Sequence, residues 1–337
     1  MMSLKTNIDS VKGFVSGFHA VGLLSFGFKN GLFKRIKNFS RFSALEFGKI
    51  NHISFSTATS FLAAASSIGI FNVEKSKYSF KGHFREMFTD ESSPNFVGNY
   101  LNIHIALENC FKASGSKMAG KHPHWNKNTG LLNAMASDSK RIGSIIINNV
   151  ISKTPAIAAK LKKNGTVLDV GCGCGTNIFQ FQKMFPTSRF IGIDIDSASL
   201  RIARQLNSSN KFKNYIRFIR TCASNISAKY GYIDLILMLN TLHEIKKELH
   251  QIIFSNCYRI MLSQSAMIVM EPLKTKGVNS TNNDITSPAI HQWLEIGHAA
   301  NLLTKSEMIK LICNAGFKKI YLFSSVDTMF QAIITKN

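Results

Sequence analysis

From residue 166 onward the chain alternates short apolar runs with helical patterns, and no other feature narrows the fold as far. The runs are TVLDV, RFIGID, YIRFIRT, YIDLILML, AMIVME and KKIYLF. Between them lie NIFQFQKMF, SASLRIARQLN, KELHQIIFSNCYRIM and a helix expected over about 304–315. Parallel strands need crossovers long enough to hold a helix, so this alternation predicts an α/β fold whose mostly parallel sheet is covered on both faces. The composition changes at KKNG (162–165), which sets the start of this domain at residue 161.

A chain of 337 residues has room for a second core ahead of it. Apolar residues recur at helical spacing over about 11–38, and FSRFSALEFGKIN (39–51) and SFSTATSFLAAASSIGIF (54–71) are two further helix candidates. VEKSKYSF then suggests a small hairpin, so residues 1–93 are expected to form a mostly helical winged helix-turn-helix domain. Residues 94–160 are expected to be a helical linker that adds pocket helices, interrupted by the polar loop GKHPHWNKNTG (120–130).

The formal charge is +22, from 41 Lys+Arg against 19 Asp+Glu. That balance raises nucleic acid as a partner. The charge is spread along the chain, however, and the third N-terminal helix has no Arg or Lys between Ile53 and Val73, so it lacks the cations that read phosphates and bases. A packing or dimerisation role fits it better, and nucleic-acid binding is not expected. Residues 13–28 and 53–71 are apolar enough to mimic targeting segments. The first has no cleavage site after it and the second is rich in Ser, Thr and Gly, so both are expected to be buried helices of a cytoplasmic protein without a membrane partner. Six cysteines without a C-x-x-C also suit a reducing compartment and supply no zinc site.

VLDVGCGCG (167–175) carries the chemistry. It reads as a strand, a turn with Gly171, Gly173 and Gly175, and a helix starting near Thr176–Asn177. Glycines there tolerate positive φ and let a ligand approach the backbone, and the helix N-terminus favours an anion. G-x-G-x-x-G would mark a dinucleotide site, whereas G-x-G-x-G better suits a ligand presenting an amino-acid carboxylate. About 20 residues on, RFIGID ends in Asp194, placed to accept hydrogen bonds from two ribose hydroxyls. Asp196 is expected to cap the next helix instead.

These stretches, with YIDLILMLNTLHEI, resemble the core of class I S-adenosylmethionine (SAM)-dependent methyltransferases. The whole order resembles the small-molecule O-methyltransferases with an N-terminal winged-helix dimerisation domain. The resemblance implies a Rossmann-like SAM-binding domain over 161–337, a homodimer formed through the N-terminal domain, and a small-molecule acceptor. It implies cofactor contacts from Ser139, Asp169, Gly171, Gly173, Asp194, Ile195, Cys222, Ala223 and Leu239. The family's general base lies nine residues after the Asp of strand four, a spacing kept from Asp234 to His243, and Glu271 in IVMEP matches the acid that orients it. Met135, Trp125 and His298 would line the substrate pocket, where Phe96, Tyr100 and His104 are further candidates that read better as core.

The chain departs from the family where it has Cys222 in place of an Asp that binds the adenine amino group, and where Ile245 and Leu302 replace an aromatic and an acid. Methyl transfer to a hydroxyl is therefore expected, to a small aromatic or polyketide-like metabolite, with His243 as base and no metal. Three alternatives stay open: C-methylation of an α-keto acid on a metal held by His243 with His298 or His291, methylation of nucleic acid, and a non-catalytic SAM-binding regulator.

Overall fold

The computed structural model describes residues 4–93, 95–114, 129–274, 302–322 and 333–335. The chain divides into two compact units, residues 1–105 and 106–337.

In the first unit, helix α1 (Leu4–Lys29) is followed by a left-handed Gly31 and the single turn α2 (Leu32–Arg35). The continuous helical pattern over 11–38 is thus broken at a residue whose φ of 66° no α-helix contains. Strand β1 (Phe42–Ser43) leads into α3 (Ala44–Asn51). A capping box fixes that start: the Ser43 hydroxyl accepts the Glu46 N–H, and the Glu46 carboxylate accepts the Ser43 N–H at 2.6 Å. Helix α4 (Phe55–Ser67) is N-capped by Ser54. Strands β2 (Phe71–Glu74) and β3 (Lys77–Phe80) are antiparallel, joined by Lys75 and Ser76, both at positive φ as a tight hairpin turn requires. The sheet order is β1-β3-β2, which completes the winged helix. Helix α5 (Phe84–Thr89) follows, and Phe33, Phe42, Phe47, Phe61, Phe71 and Phe88 fill the core. Helix α6 (Gly98–Ser114) comes next.

The burial expected for residues 13–28 does not hold. Only the end of α1 packs, through Leu23, Leu24 and Phe28. Val11, Phe14, Val15 and Phe18 are exposed, Phe14 to 65% and Phe18 to 63%. By length and composition this helix could cross a membrane. Helical spacing shows that an apolar stripe exists and not what covers it.

The second unit contributes α7 (Thr129–Ile145) and, after a wider π-helical turn (Ile146–Val150) and a tighter 3-10 turn (Ile151–Lys153), α8 (Pro155–Lys162), which opens with proline at its first position. Then come β4 (Thr166–Val170), α9 (Thr176–Met184), β5 (Arg189–Asp194), α10 (Ser197–Ser208), β6 (Ile216–Arg220) and β7 (Ile233–Leu239). They are followed by α11 (Lys247–Ile260), β8 (Met261–Met270), β9 (Leu273–Lys274), β10 (Leu303–Thr304), α12 (Lys305–Asn314), β11 (Lys319–Tyr321) and β12 (Ile333–Thr335). The seven-stranded sheet runs β11-β12-β8-β7-β4-β5-β6. From β8 to β6 it is parallel, while β12 is antiparallel to both of its neighbours.

Both faces are buried, as the unbroken apolar strands require. Along β7, Leu235, Leu237 and Leu239 enter one core with Ile178 and Phe181 of α9, and Ile236 and Met238 enter the other with Ile253 and Phe254 of α11. The chain steps outward from β4 through β5 to β6, then returns to lay β7 on the other side of β4. Strand order therefore reverses at β4 and β7, and their carboxyl ends open the crevice where such sheets bind ligands. At the opposite end, Asp234 accepts the Thr166 N–H at 2.9 Å and lies 3.6 Å from the Lys160 ammonium.

Candidate active site

Gly171, Gly173 and Gly175 all hold positive φ, at 73°, 50° and 76°. Different neighbours exclude side chains from them. A Cβ on Gly171 would lie 2.2 Å from Cγ2 of Thr241, and one on Gly175 would lie 2.6 Å from the Phe218 ring. A Cβ on Gly173 would meet nothing within 4 Å. Internal packing therefore demands glycine at 171 and 175, and of the three only Gly173 would point a Cβ into open space. The loop rests on the end of β5, where the Ile193 carbonyl accepts the N–H groups of Gly171 and Cys172 at 2.8 and 3.0 Å.

Asp194 ends β5 and holds the loop. Its Oδ2 accepts the Gly173 N–H at 2.8 Å and its Oδ1 the Asp196 N–H at 2.8 Å, which leaves further lone pairs on both oxygens. Burial raises its pKa. Asp196 caps α10 through the N–H groups of Ala198 and Ser199, as expected. The Thr221 N–H donates to the Asp194 carbonyl at 2.9 Å and Arg220 Nε to the Ile195 carbonyl at 3.2 Å, which carries Cys222 and Ala223 to the same corner. There the Cys222 sulfur accepts the Ser224 hydroxyl at 3.1 Å, Ala223 opens a single turn, and Ile195 is 68% exposed. Asp169 lies behind the loop, almost fully buried, and its Oδ2 has no hydrogen-bond partner among the described residues. Burial first, and the Asp194 charge second, push its pKa up to about 7. Leu239, the last residue of β7, is buried in the core beside β4.

The paired ends of β7 and β8 bring His243 and Glu271 together. Leu239 stands opposite Met270, and the Asn240 N–H donates to the Met270 carbonyl at 2.8 Å. Glu271 is the next residue. Its Oε1 accepts the N–H groups of Thr241 and Leu242 at 2.6 Å each, and its Oε2 lies 2.5 Å from His243 Nδ1. The carboxylate thus caps the turn Leu242–Glu244 as well as binding the imidazole that the turn carries. With Nδ1 committed to Glu271, the basic lone pair of the neutral ring is on Nε2. The nine residues from Asp234 to His243 measure the rest of the strand plus a turn, and Asp234 itself stands at the far end of the sheet.

Met135 and Ser139 are half-buried on α7. This helix packs closely on α9: a Cβ on Gly143 would meet Gln180 Oε1 at 2.2 Å, and Gln180 Nε2 donates to the Lys140 carbonyl at 2.8 Å. Ser139 precedes that anchored residue. In the first unit, Phe96 packs edge-on against Phe28, and Tyr100 against His104. Trp125, His298 and His291 lie outside the described residues. Among the described residues no three His, Cys, Asp or Glu side chains gather as a metal site would require. Sequence reading missed Thr241, Phe218, Gly143 and Gln180, whose roles arise from contacts between distant segments and leave no local signal.

A glycine loop on the first strand, an acid ending the second, and a His–Glu pair across the fourth and fifth lie on a Rossmann-like sheet that follows a winged helix in the chain. Residues 167–263 match the family described as a methyltransferase domain. The whole chain has the fold of the O-methyltransferases. It is similar to an O-methyltransferase family protein from Burkholderia thailandensis at 13% identity, with TM-score 0.68 and coverage of 100% of this chain and 99% of that one. Human N-acetylserotonin methyltransferase, solved with SAM, is similar at 13% identity and TM-score 0.65, covering 100% and 99%. The pyocyanin biosynthetic protein PhzM is similar at 15% identity and TM-score 0.70, covering 98% and 99%. Among curated sequences, an uncharacterized protein of Rickettsia prowazekii (strain Madrid E) is 29% identical over 82 residues, 24% of this chain and 32% of that protein. A second from the same strain is 25% identical over 97 residues, 29% of this chain and 17% of that protein. The match therefore spans a third or less of either curated relative.

Proposed function

We propose that this protein transfers the methyl group of SAM to a hydroxyl of a small aromatic or polyketide-like metabolite, with His243 as general base. The observation that carries the reading is the 2.5 Å contact between His243 Nδ1 and Glu271 Oε2, one strand away from the glycine loop. The corner around that loop suits an adenosyl amino acid: Gly173 faces open space, Asp194 keeps acceptor capacity for ribose hydroxyls, and Ile195 offers an apolar surface to a base. SAM would supply an electrophilic methyl on a sulfonium. The protein's part is to hold the two reactants in line, which supplies much of the rate in a displacement of this kind. His243 Nε2 takes the acceptor's proton, and Glu271 fixes the ring tautomer and stabilises the imidazolium that results. Ser139, Asp169, Cys222, Ala223 and Leu239 complete our proposed cofactor site, and Met135, with Trp125 and His298, the acceptor pocket.

In the same proposal the first 93 residues form a dimerisation domain. The exposed stripe of Val11, Phe14, Val15 and Phe18 is the face that a second copy would cover. Five described cysteines are free thiols, which suits a cytoplasmic location.

The test is incubation with methyl-labelled SAM and a host metabolite extract, followed by mass spectrometry. Label should enter a small hydroxylated compound and fall sharply with His243→Ala. Label entering RNA or DNA with steep salt dependence, or label indifferent to His243, would overturn the reading.

A further inference from the structure

The glycine loop and the turn that carries His243 meet at one side chain, Thr241. The two strands beneath them pair as far as Val170 opposite Met238. Beyond that rung the strands part, and the Thr241 hydroxyl bridges the gap, 3.1 Å from the Val170 carbonyl and 3.2 Å from the Leu239 carbonyl. Its Cγ2 occupies the space a Gly171 side chain would need. Its own N–H donates to Glu271 Oε1 at 2.6 Å, on the same carboxylate that binds His243 Nδ1. Thr241 is itself buried. A chain of direct contacts therefore runs from Gly171 through Thr241 and Glu271 to His243.

We infer that Thr241 is a positioning residue that sets the cofactor loop in register with the general base, an inference that rests on the methyl-transfer reading. Valine would match its volume, so packing alone does not explain the hydroxyl. The hydroxyl's single proton reaches the Val170 carbonyl across the point where the sheet's own hydrogen bonds stop, with the Leu239 carbonyl also in range at 3.2 Å. In-line displacement is sensitive to misplacement on the order of 1 Å, which can cost about a hundredfold in rate. A device that holds donor loop and base together is therefore worth more to the reaction than to the fold. Thr241 touches no reacting atom in this account and acts only through Val170, Gly171 and Glu271.

The experiment records the His243 side-chain signals by 15N NMR with and without S-adenosylhomocysteine, in wild type, Thr241→Val and Thr241→Ser, with binding followed by calorimetry. Binding at the loop should shift the His243 signals in wild type and Thr241→Ser, and the shift should shrink at least twofold in Thr241→Val. At saturating labelled SAM, incorporation of label into the extract should fall about tenfold or more in Thr241→Val, and stay within about threefold of wild type in Thr241→Ser, because the orientation lost is worth up to that hundredfold. If Thr241→Val does not fold, Thr241→Cys, with a weak donor of similar size, takes its place. A full His243 shift and wild-type rate in the valine or cysteine variant overturns the inference and leaves the methyl-transfer reading standing. Loss in Thr241→Ser equal to that in Thr241→Val also overturns it, since the hydroxyl would then not be what matters. A wild-type protein that binds no S-adenosylhomocysteine removes both readings at once.

Discussion

Asp169 and Asp194 stand on neighbouring parallel strands behind and beside the glycine loop, and the charge of the second adds to burial in making the first hard to ionise. Asp169 is thereby pushed up to about 7, against about 3.9 in an unfolded chain. Between those values the folded protein holds a proton that the unfolded chain releases. The resulting stability is fully present below about pH 4 and is lost as pH rises through about 7. Asp169→Asn should abolish this dependence. In urea unfolding without added cofactor, the variant should exceed wild type by up to about 4 kcal/mol at pH 8, and the gap should close near pH 4. A constant gap across that range would count against the assignment.

Gly171 and Gly173 should respond differently to alanine. Gly171→Ala forces a methyl into Thr241 at a positive φ, and should lower stability by roughly 2–4 kcal/mol from overpacking and strain together. Gly173→Ala meets no neighbour and should cost only the roughly 1 kcal/mol of the left-handed backbone, yet weaken SAM binding at least tenfold. Thermal melts paired with calorimetry separate the two effects.

Glu271→Gln keeps an oxygen for the turn but removes the charge that faces His243 Nδ1. Turnover should drop on the order of a hundredfold, within the range general-base catalysis supplies, while SAM affinity changes by less than about threefold. Initial rates and binding isotherms on the same preparations decide it. An unchanged rate would mean that the Glu271 charge does not support the base.

Charge placed on α1 should disrupt the proposed dimer. Phe14→Asp with Phe18→Asp alters side chains exposed to 65% and 63%, so the fold should survive. Sedimentation at micromolar concentration should then show monomer where wild type shows dimer. A wild-type monomer would dismiss the dimer outright.

Asp234 sits at the far end of the sheet, where it accepts the Thr166 N–H. Asp234→Ala should lower stability by about 1–3 kcal/mol through the unsatisfied donor, and leave the KM for SAM unchanged. A chemical role for this residue would show instead as a fall in rate without loss of stability.

What could be read along the chain was whatever depends on local order. The strands β4, β5 and β7 and the Asp196 cap follow from periodicity and residue type, the His243–Glu271 pairing was what the family resemblance implied, and the structure contains each of them. The Thr241–Gly171 contact joins segments 70 residues apart, and nothing local in LNTLHEI distinguishes that threonine from a turn residue. The exposure of α1 was hidden for a different reason: an apolar stripe looks the same whether its own domain or another molecule covers it. The insertion of β12 between β8 and β11 was equally invisible, because three residues are too few to show an alternation.

That inserted strand bears on how the molecule assembles during synthesis. Ile333–Thr335 occupies a place between two strands made earlier, so as the ribosome delivers the chain, one side of β8 stays open until β12 arrives. Over that interval the nascent sheet presents an unpaired apolar margin, a vulnerable stage at which a chaperone or slow translation would favour correct closure over clumping.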